Sequence, residues 1–355
     1  MLFRLEAAYP KCLKDIIKVQ QMDKIYKVAL VGCGAIAPNH LRAIKSLPYV
    51  EVVALCDINL EKAENRKNEF ELDCKLYSDF DEMLEKEQLD SIHIATPHYL
   101  HASMTVKALK KGINVFLEKP MCINENEIEE LINAEAESDA NVCVCFQNRF
   151  NPSTILAERI AKEDGGVKSA FGNVFWYRDE KYYTNSGWRG KYATEGGGVM
   201  INQAIHTLDL LCYYVGTPKS VIATTSNHHL KEVIEVEDSA DGIITFENGK
   251  KANFYFTTSY DGRDATIVYL VTEKKRRIQI QYSAVYVDGE KIDDPSLDSG
   301  FVGKECYGNG HTYLIARYYD ALKNGKEMPV TLESAQYALR ILLASYKSNN
   351  NETLI

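Results

Sequence analysis

Positive charge is the minority in this sequence: 41 Lys and Arg stand against 50 Asp and Glu, a formal net charge of −9. That balance argues against a surface built for nucleic acid or anionic lipid. Long apolar runs are also missing, and none reaches the length that crosses a bilayer. The opening stretch, MLFRLEAAYPKCLKDIIKVQQ, carries Lys and Arg throughout, where a signal peptide would have an uninterrupted apolar region. Cysteine pairs are lacking. The nine Cys are odd in number and none stands in a Cys-x-x-Cys pair. Cys143 and Cys145 alternate along an apolar strand, so they face opposite ways and cannot share a metal. Buried reduced thiols in the cytoplasm are expected, and no metal site. Internal repeats and low-complexity segments are absent as well.

What is present is enough chain for two domains of common size, 355 residues with 45% apolar and 26% charged. Residues 1–22 read as an N-terminal extension, because Met22 is followed closely by the first convincing strand. From there to residue 148, short apolar runs alternate with helical patterns. IYKVALV, VEVVALCD, LDSIHIATP, GINVFLEKP and NVCVCFQN read as strands of a parallel doubly wound sheet. Helices are expected between them, among them Ala63–Leu72, His101–Lys110 and Asn124–Ser138. After Asn148 the strands lengthen and helices become scarce, as in an α+β domain with a large open mixed sheet over residues 149–330. FENGKKANF, VTEKKRRIQI and VYVDGEKI read as hairpins. Residues 331–355 form a last helix.

Gly32, Gly34 and Ala37 spell G-x-G-x-x-A between the first strand and a helix, and Asp57 closes the second strand 23 residues after Gly34. In that context the first glycine permits the tight turn and the second lets backbone approach a pyrophosphate. Amides at the helix start, around Ala35 and Ile36, would hold the anion. Asp57 would accept from the adenosine ribose. Its carboxylate disfavours a 2′-phosphate, so NAD is expected rather than NADP, although Lys62 and Arg66 lie close by in sequence. Thr96, Pro97, His101, Glu118 and Lys119 lie at or just beyond later strand ends, the edge where open α/β sheets bind ligands.

In the second half, TEGGGVMINQAIHTLDLL raises a question. Three successive glycines need a reason, and close approach of cofactor and substrate is one. From Asn202, steps of four, seven and eleven reach His206, Asp209 and Tyr213, one polar stripe on an otherwise apolar helix. Asp209 is spaced to orient the His206 imidazole. Arg149 follows the last strand of the first domain, from where it could reach cofactor or substrate, and Trp188 and Arg189 sit in a glycine-flanked loop suited to a sugar-like substrate.

Gly32/Gly34, Asp57, EKP and GGGVMINQAIHTLD together resemble the Gfo/Idh/MocA family, named for glucose-fructose oxidoreductase, inositol dehydrogenase and rhizopine catabolism. The resemblance runs from about Lys24 to the end. It implies a nicotinamide-dependent oxidoreductase of sugar or cyclitol hydroxyls, with Lys119 and His206 as the catalytic pair. It also implies a homodimer or homotetramer formed through the open sheet, and final helices that return toward the first domain. Asn202 stands where several members have Asp, which separates the chain from inositol dehydrogenase itself. An NAD-dependent glycoside hydrolase on the same scaffold and a non-catalytic NAD-binding sensor remain alternatives.

Overall fold

The apolar run Tyr26–Val31 becomes the central strand of a parallel sheet in the computed structural model, which describes residues 24–262, 265–297 and 308–355. The expected extension over residues 1–22 lies outside the described residues. Two compact units divide the rest.

The first unit holds β1 (Tyr26–Val31), β2 (Val50–Cys56), β3 (Lys75–Tyr77), β4 (Ser91–Ile94), β5 (Asn114–Leu117) and β6 (Val142–Val144). Their order, β3-β2-β1-β4-β5-β6, is that of a dinucleotide-binding Rossmann sheet. Every pairing is parallel. Burial on both faces explains why β5 and β6 are nearly continuous apolar runs, while β4 is buried throughout although Ser91 and His93 alternate with its isoleucines. The helix expected over Ala63–Leu72 begins earlier, at Leu60, because the Asn59 side chain caps it by accepting from the Glu61 amide.

The second unit holds a nine-stranded sheet. Its strands are β7 (Val167–Phe175), β8 (Pro218–Ser226), β9 (Ser239–Phe246), β10 (Lys251–Thr257), β11 (Ala265–Thr272), β12 (Arg277–Gln281), β13 (Ala284–Val287), β14 (Glu290–Lys291) and β15 (Thr353–Leu354). The order is β14-β13-β12-β11-β7-β10-β9-β8-β15, antiparallel except for β7 with β10. The three hairpins read from the sequence form, as β9–β10, β11–β12 and β13–β14. The helix Ile205–Val215 covers one face over β7, β10 and β11. The other face leaves Ile222, Ile243, Tyr255 and Tyr269 exposed.

The last two long helices are divided between the units. Gly310–Asn324 packs on Ala37–Lys45 in the first unit, burying Tyr318 and Tyr319. Leu332–Ser348 belongs from Ser334 onward to the second unit. Its anchors there include the Tyr346 hydroxyl on Glu237 and the Ser348 hydroxyl on the Ala223 amide. No helix among the described residues is long and apolar enough to cross a membrane.

Candidate active site

The turn after β1 is built for glycine. Gly32 has φ +92°, and a Cβ there would lie 2.3 Å from the Ala95 carbonyl oxygen. At Gly34 the position of a Cβ faces open space, which leaves the backbone approachable. Ala35 is exposed, and Ile36 caps the helix Ala37–Lys45 without a side-chain hydrogen bond. That helix has no acidic residue in its first turn, so its amides keep their partial positive charge for an anion. Asp57 stands beside this loop. One of its oxygens accepts from the Cys33 amide at 2.8 Å and the other from the Asn59 amide at 2.9 Å. Arg66 donates one nitrogen to the Gly34 carbonyl at 3.3 Å and another to Glu69. The uncapped helix start, the open space at Gly34 and the placed carboxylate fit a dinucleotide whose pyrophosphate lies on the loop and whose ribose meets Asp57.

Beyond β4 and β5, Thr96, Pro97, Glu118 and Lys119 mark the strand ends. His101 lies between those ends, its Nδ1 2.6 Å from the Pro120 carbonyl and its Nε2 2.9 Å from that of Thr96; burial lowers its pKa, so the neutral ring donates to one of the two carbonyls at a time. Buried between the two carbonyls, the ring braces the strand edge.

Glu118 is held from within its own unit. It is buried and ends a chain of hydrogen bonds within the first unit. His40 Nε2 lies 2.9 Å from Glu118 Oε1, and the two Nδ1 atoms of His40 and His93 lie 2.8 Å apart. His93 Nε2 lies 2.8 Å from the Tyr319 hydroxyl. Burial pushes His93 well below its ordinary value and lowers His40, so both rings are neutral. A carboxylate can only accept, which assigns every proton: Tyr319 donates to His93, His93 to His40, and His40 to Glu118. Burial opposes the charge on Glu118, but hydrogen bonds from His311 and His40 outweigh it and hold the carboxyl well below the usual range. His40, Glu118 and His311 also have ligand atoms within 4.8 Å of one another, a set that could accept a cation. The sequence offered no such cluster, because its members are 78 and 193 positions apart. The local signal is a histidine at a core position of an apolar helix or strand, as at His40 and His93.

The glycine run in the second unit has a reason other than the expected one. A Cβ on Gly196 would meet Ile123 at 2.6 Å, one on Gly197 the Tyr346 hydroxyl at 2.1 Å, and one on Gly198 the Glu237 carbonyl at 1.8 Å. The close approach is therefore made by the protein itself. What it encloses is Glu237, 2% exposed. Its carboxylate accepts from the Gly198 amide at 2.9 Å, the Met200 amide at 3.0 Å and the Tyr346 hydroxyl at 2.7 Å.

The expected single helix is two pieces, Val199–Asn202 and Ile205–Val215. The Ala204 amide donates five residues back, to Val199, and this wide turn separates Asn202 from the helix of His206. Asn202 donates to Glu195, a buried acid just before the glycines. His206 occupies the first turn of its helix, half-buried. Asp209 belongs to Arg149, whose Nε donates to Oδ2 at 2.9 Å and whose second nitrogen meets Oδ1. Neither is available in the expected role: Asp209 does not orient His206, and Arg149 is 9% exposed and committed to this ion pair. Trp188 and Arg189 do come together, the guanidinium 4.8 Å from the ring centre.

Comparison with known proteins agrees with this architecture. Residues 26–146 match the oxidoreductase family with NAD-binding Rossmann fold, and residues 158–283 match the GFO/IDH/MocA C-terminal domain. An uncharacterised oxidoreductase of Bacillus subtilis, YrbE, is 24% identical over 338 residues, 92% of this chain and 95% of that protein. D-apiose dehydrogenase of Paraburkholderia graminis is 30% identical over 228 residues, 64% of this chain and 59% of its own. Among solved structures, the WlbA dehydrogenase of Bordetella pertussis in complex with NADH and UDP-GlcNAcA superposes with a TM-score of 0.83 at 25% identity. That match covers 95% of this chain and 99% of the other. With its two domains, its parallel Rossmann sheet and its NAD-binding edge, the chain belongs to the Gfo/Idh/MocA oxidoreductases and is an NAD-binding dehydrogenase.

Proposed function

We propose that the enzyme oxidises a secondary hydroxyl of a sugar, cyclitol or nucleotide sugar, or reduces the matching ketone, as a cytoplasmic homo-oligomer. The observation that carries this reading is the presence, in one NAD-binding chain, of Lys119 at a strand end beyond β5 and His206 in the first turn of a helix that follows the glycine run. Relatives point the same way: one is a D-apiose dehydrogenase, and another was solved with a nucleotide sugar acid.

When bound, the nicotinamide supplies the hydride chemistry. His206 takes the hydroxyl proton as general base, and Lys119 donates a hydrogen bond to the same oxygen and stabilises its developing charge. The braced edge around His101 and the buried, charged Glu118 hold the backbone that carries Lys119. Asn202 shapes the substrate side near His206.

A thermal-shift screen of sugars, cyclitols and nucleotide sugars with NAD present identifies the substrate, since a ligand bound only by the native state raises its stability. Single-turnover hydride transfer then tests the roles. His206→Ala and Lys119→Ala should each lower the rate by about 10²–10⁴-fold while NAD affinity holds. The double variant should lose much less than the product of the two. A His206→Ala enzyme within a few-fold of the original rate overturns the assignment, and turnover without net NADH accumulation favours a hydrolase.

A further inference from the structure

Both tryptophans of the chain, Trp176 and Trp188, fall within one short stretch of the second unit. They are the two ends of a stack. The Arg178 guanidinium carbon lies 4.6 Å from the centre of the Trp176 ring and 5.1 Å from that of Tyr182. The Arg189 guanidinium carbon lies 4.6 Å from the same Tyr182 ring and 4.8 Å from that of Trp188. The order in space is thus Trp176, Arg178, Tyr182, Arg189, Trp188, with ring and cation alternating. Aromatic faces hold the planar cations in place without using their N–H donors.

The donors are where the arrangement is incomplete. Two positive charges flank one phenol ring and favour its ionised form, and Arg189 also lies close enough to Glu195 to favour its charge, without an ion pair to either guanidinium among the described residues. Arg178 spends one nitrogen on the Tyr177 carbonyl at 2.7 Å. The Nε of Arg178, the Nε of Arg189 and the indole nitrogen of Trp176 are all buried with no hydrogen-bond acceptor among the described residues. Buried donors are ordinarily satisfied, and leaving charged ones unpaired is costly. Arginine pairs in proteins usually close on a carboxylate, yet the nearby acid, Glu195, is turned to the Gly190 amide and to Asn202. The stack also touches the region assigned above to substrate. The Tyr182 hydroxyl lies 3.3 Å from Asn202 Nδ2 and 3.1 Å from Gln203 Nε2, a few residues before His206.

We propose that the Arg178–Arg189 stack is the subsite for an acidic group on the substrate, so that the enzyme acts on an anionic sugar carrying a carboxylate or a phosphate. The proposal rests on the reading of the chain as a sugar dehydrogenase for its substrate class, and on the stack alone for the anion. A fork of N–H donors stacked between rings suits a planar or tetrahedral oxyanion, and the tryptophan and tyrosine faces suit the apolar face of the attached ring.

The tryptophans make the test direct, because both lie in the stack and intrinsic fluorescence reports on it without any turnover. The NAD-loaded enzyme is titrated with glucose, glucuronic acid, glucose 1-phosphate, UDP-glucose and UDP-glucuronic acid. Acidic compounds should change the fluorescence and bind at least tenfold more tightly than glucose, with an affinity that falls as salt rises. Comparison of glucuronic acid with glucose 1-phosphate and the UDP-sugars tells carboxylate from phosphate. Arg178→Met and Arg189→Met should erase the advantage of the acidic compounds and leave NAD affinity unchanged. If the Met variants do not fold, Arg178→Lys and Arg189→Lys keep the charge and lose the fork; binding should weaken several-fold with its salt dependence retained. Equal binding of glucose and its acidic counterparts, or no fluorescence response to any anion, overturns the proposal while leaving the dehydrogenase reading intact. Anion binding that the Arg variants abolish, without hydride transfer to or from any sugar, upholds the subsite and defeats the dehydrogenase reading.

Discussion

Arg149 grips Asp209 through two nitrogens across 60 positions of sequence, with Nε at 2.9 Å from Oδ2, in a pair almost sealed from solvent. The remaining guanidinium donors reach the Ser334 hydroxyl at 3.2 Å and the Ser334 carbonyl at 3.1 Å, and the Tyr213 ring lies 5.7 Å away. One side chain thus ties the start of the second unit, the helix of His206 and the last helix together. Removing one partner leaves a buried charge uncompensated, which typically costs 3–5 kcal/mol. Asp209→Asn should therefore destabilise the protein by about that much in urea unfolding. The double change Arg149→Met/Asp209→Leu should cost less than either single change, because no charge is then stranded. An Asp209→Asn protein as stable as the parent, but slow in catalysis, would return Asp209 to the histidine.

Asp57 sets the second expectation. Its two oxygens already hold the amides of Cys33 and Asn59, so the carboxylate is fixed beside the loop and negative where a 2′-phosphate would arrive. Arg66, which could compensate that charge, is engaged with Glu69 and the Gly34 carbonyl. NAD should bind at least tenfold more tightly than NADP, about 1.4 kcal/mol. Asp57→Ala should narrow the gap while weakening NAD as well, since the loop loses two anchors. Dissociation constants for both cofactors, measured by calorimetry, decide it. Preference for NADP in the unaltered enzyme would sink the assignment.

These two cases show what a sequence carries and what it does not. Asp57 and Gly32 were legible because a strand, a tight turn and a helix are local, and each constrains its neighbours within a few residues. The hairpin at Glu247–Lys250 was legible for the same reason, with Gly249 at φ +77°. The partner of Asp209 was not. Spacing of three from His206 suggested a bond along the helix, whereas the actual partner comes from another element. The glycines at 196–198 misled in a similar way. A local rule says that something comes close, but only the fold says that it is Glu237, 39 residues beyond Gly198. The break at Gln203–Ala204 also escapes periodicity, since nothing in MINQAIHT forbids a continuous helix.

The open sheet face leads to a third expectation. Register places Ile222 beside Ile243, Ile243 beside Asn253, Asn253 beside Phe171 and Phe171 beside Tyr269. Ile222, Ile243 and Tyr269 are 41%, 38% and 37% exposed, a row of large apolar groups across β8, β9 and β11. Such a row on a wide sheet suits a two-fold interface with a second copy. Light scattering at micromolar concentration should give a dimer or tetramer of the 40.1 kDa chain. Ile243→Lys, which puts a charge in the middle of the row, should shift the mass toward monomer without unfolding it. A monomeric parent protein would contradict the interface.

Glu195 gives the enzyme a pH dependence whose sign follows from its burial. The side chain is 1% exposed, and burial raises its pKa from 4.5 to about 7 against the pull of the Gly190 amide and Asn202. The folded state therefore holds a proton that the unfolded chain has released. Between pH 4.5 and about 7 the native state binds more protons, so stability falls as pH rises through that window. At 1.36 kcal/mol per unit, the loss attributable to this one group is on the order of 3 kcal/mol. Glu195→Gln keeps the shape and removes the titration. Burial also raises the carboxyl of Glu237, and its charge in turn raises Glu195, so the comparison is made in a Glu237→Gln background, where only Glu195 differs. Urea unfolding of the two proteins at pH 5 and pH 8 should show the parent losing stability relative to Glu195→Gln by about 2–3 kcal/mol as pH rises. Parallel profiles would mean that Glu195 is ionised throughout, with the neighbouring Arg189 compensating its charge more fully than the hydrogen bonds around it suggest.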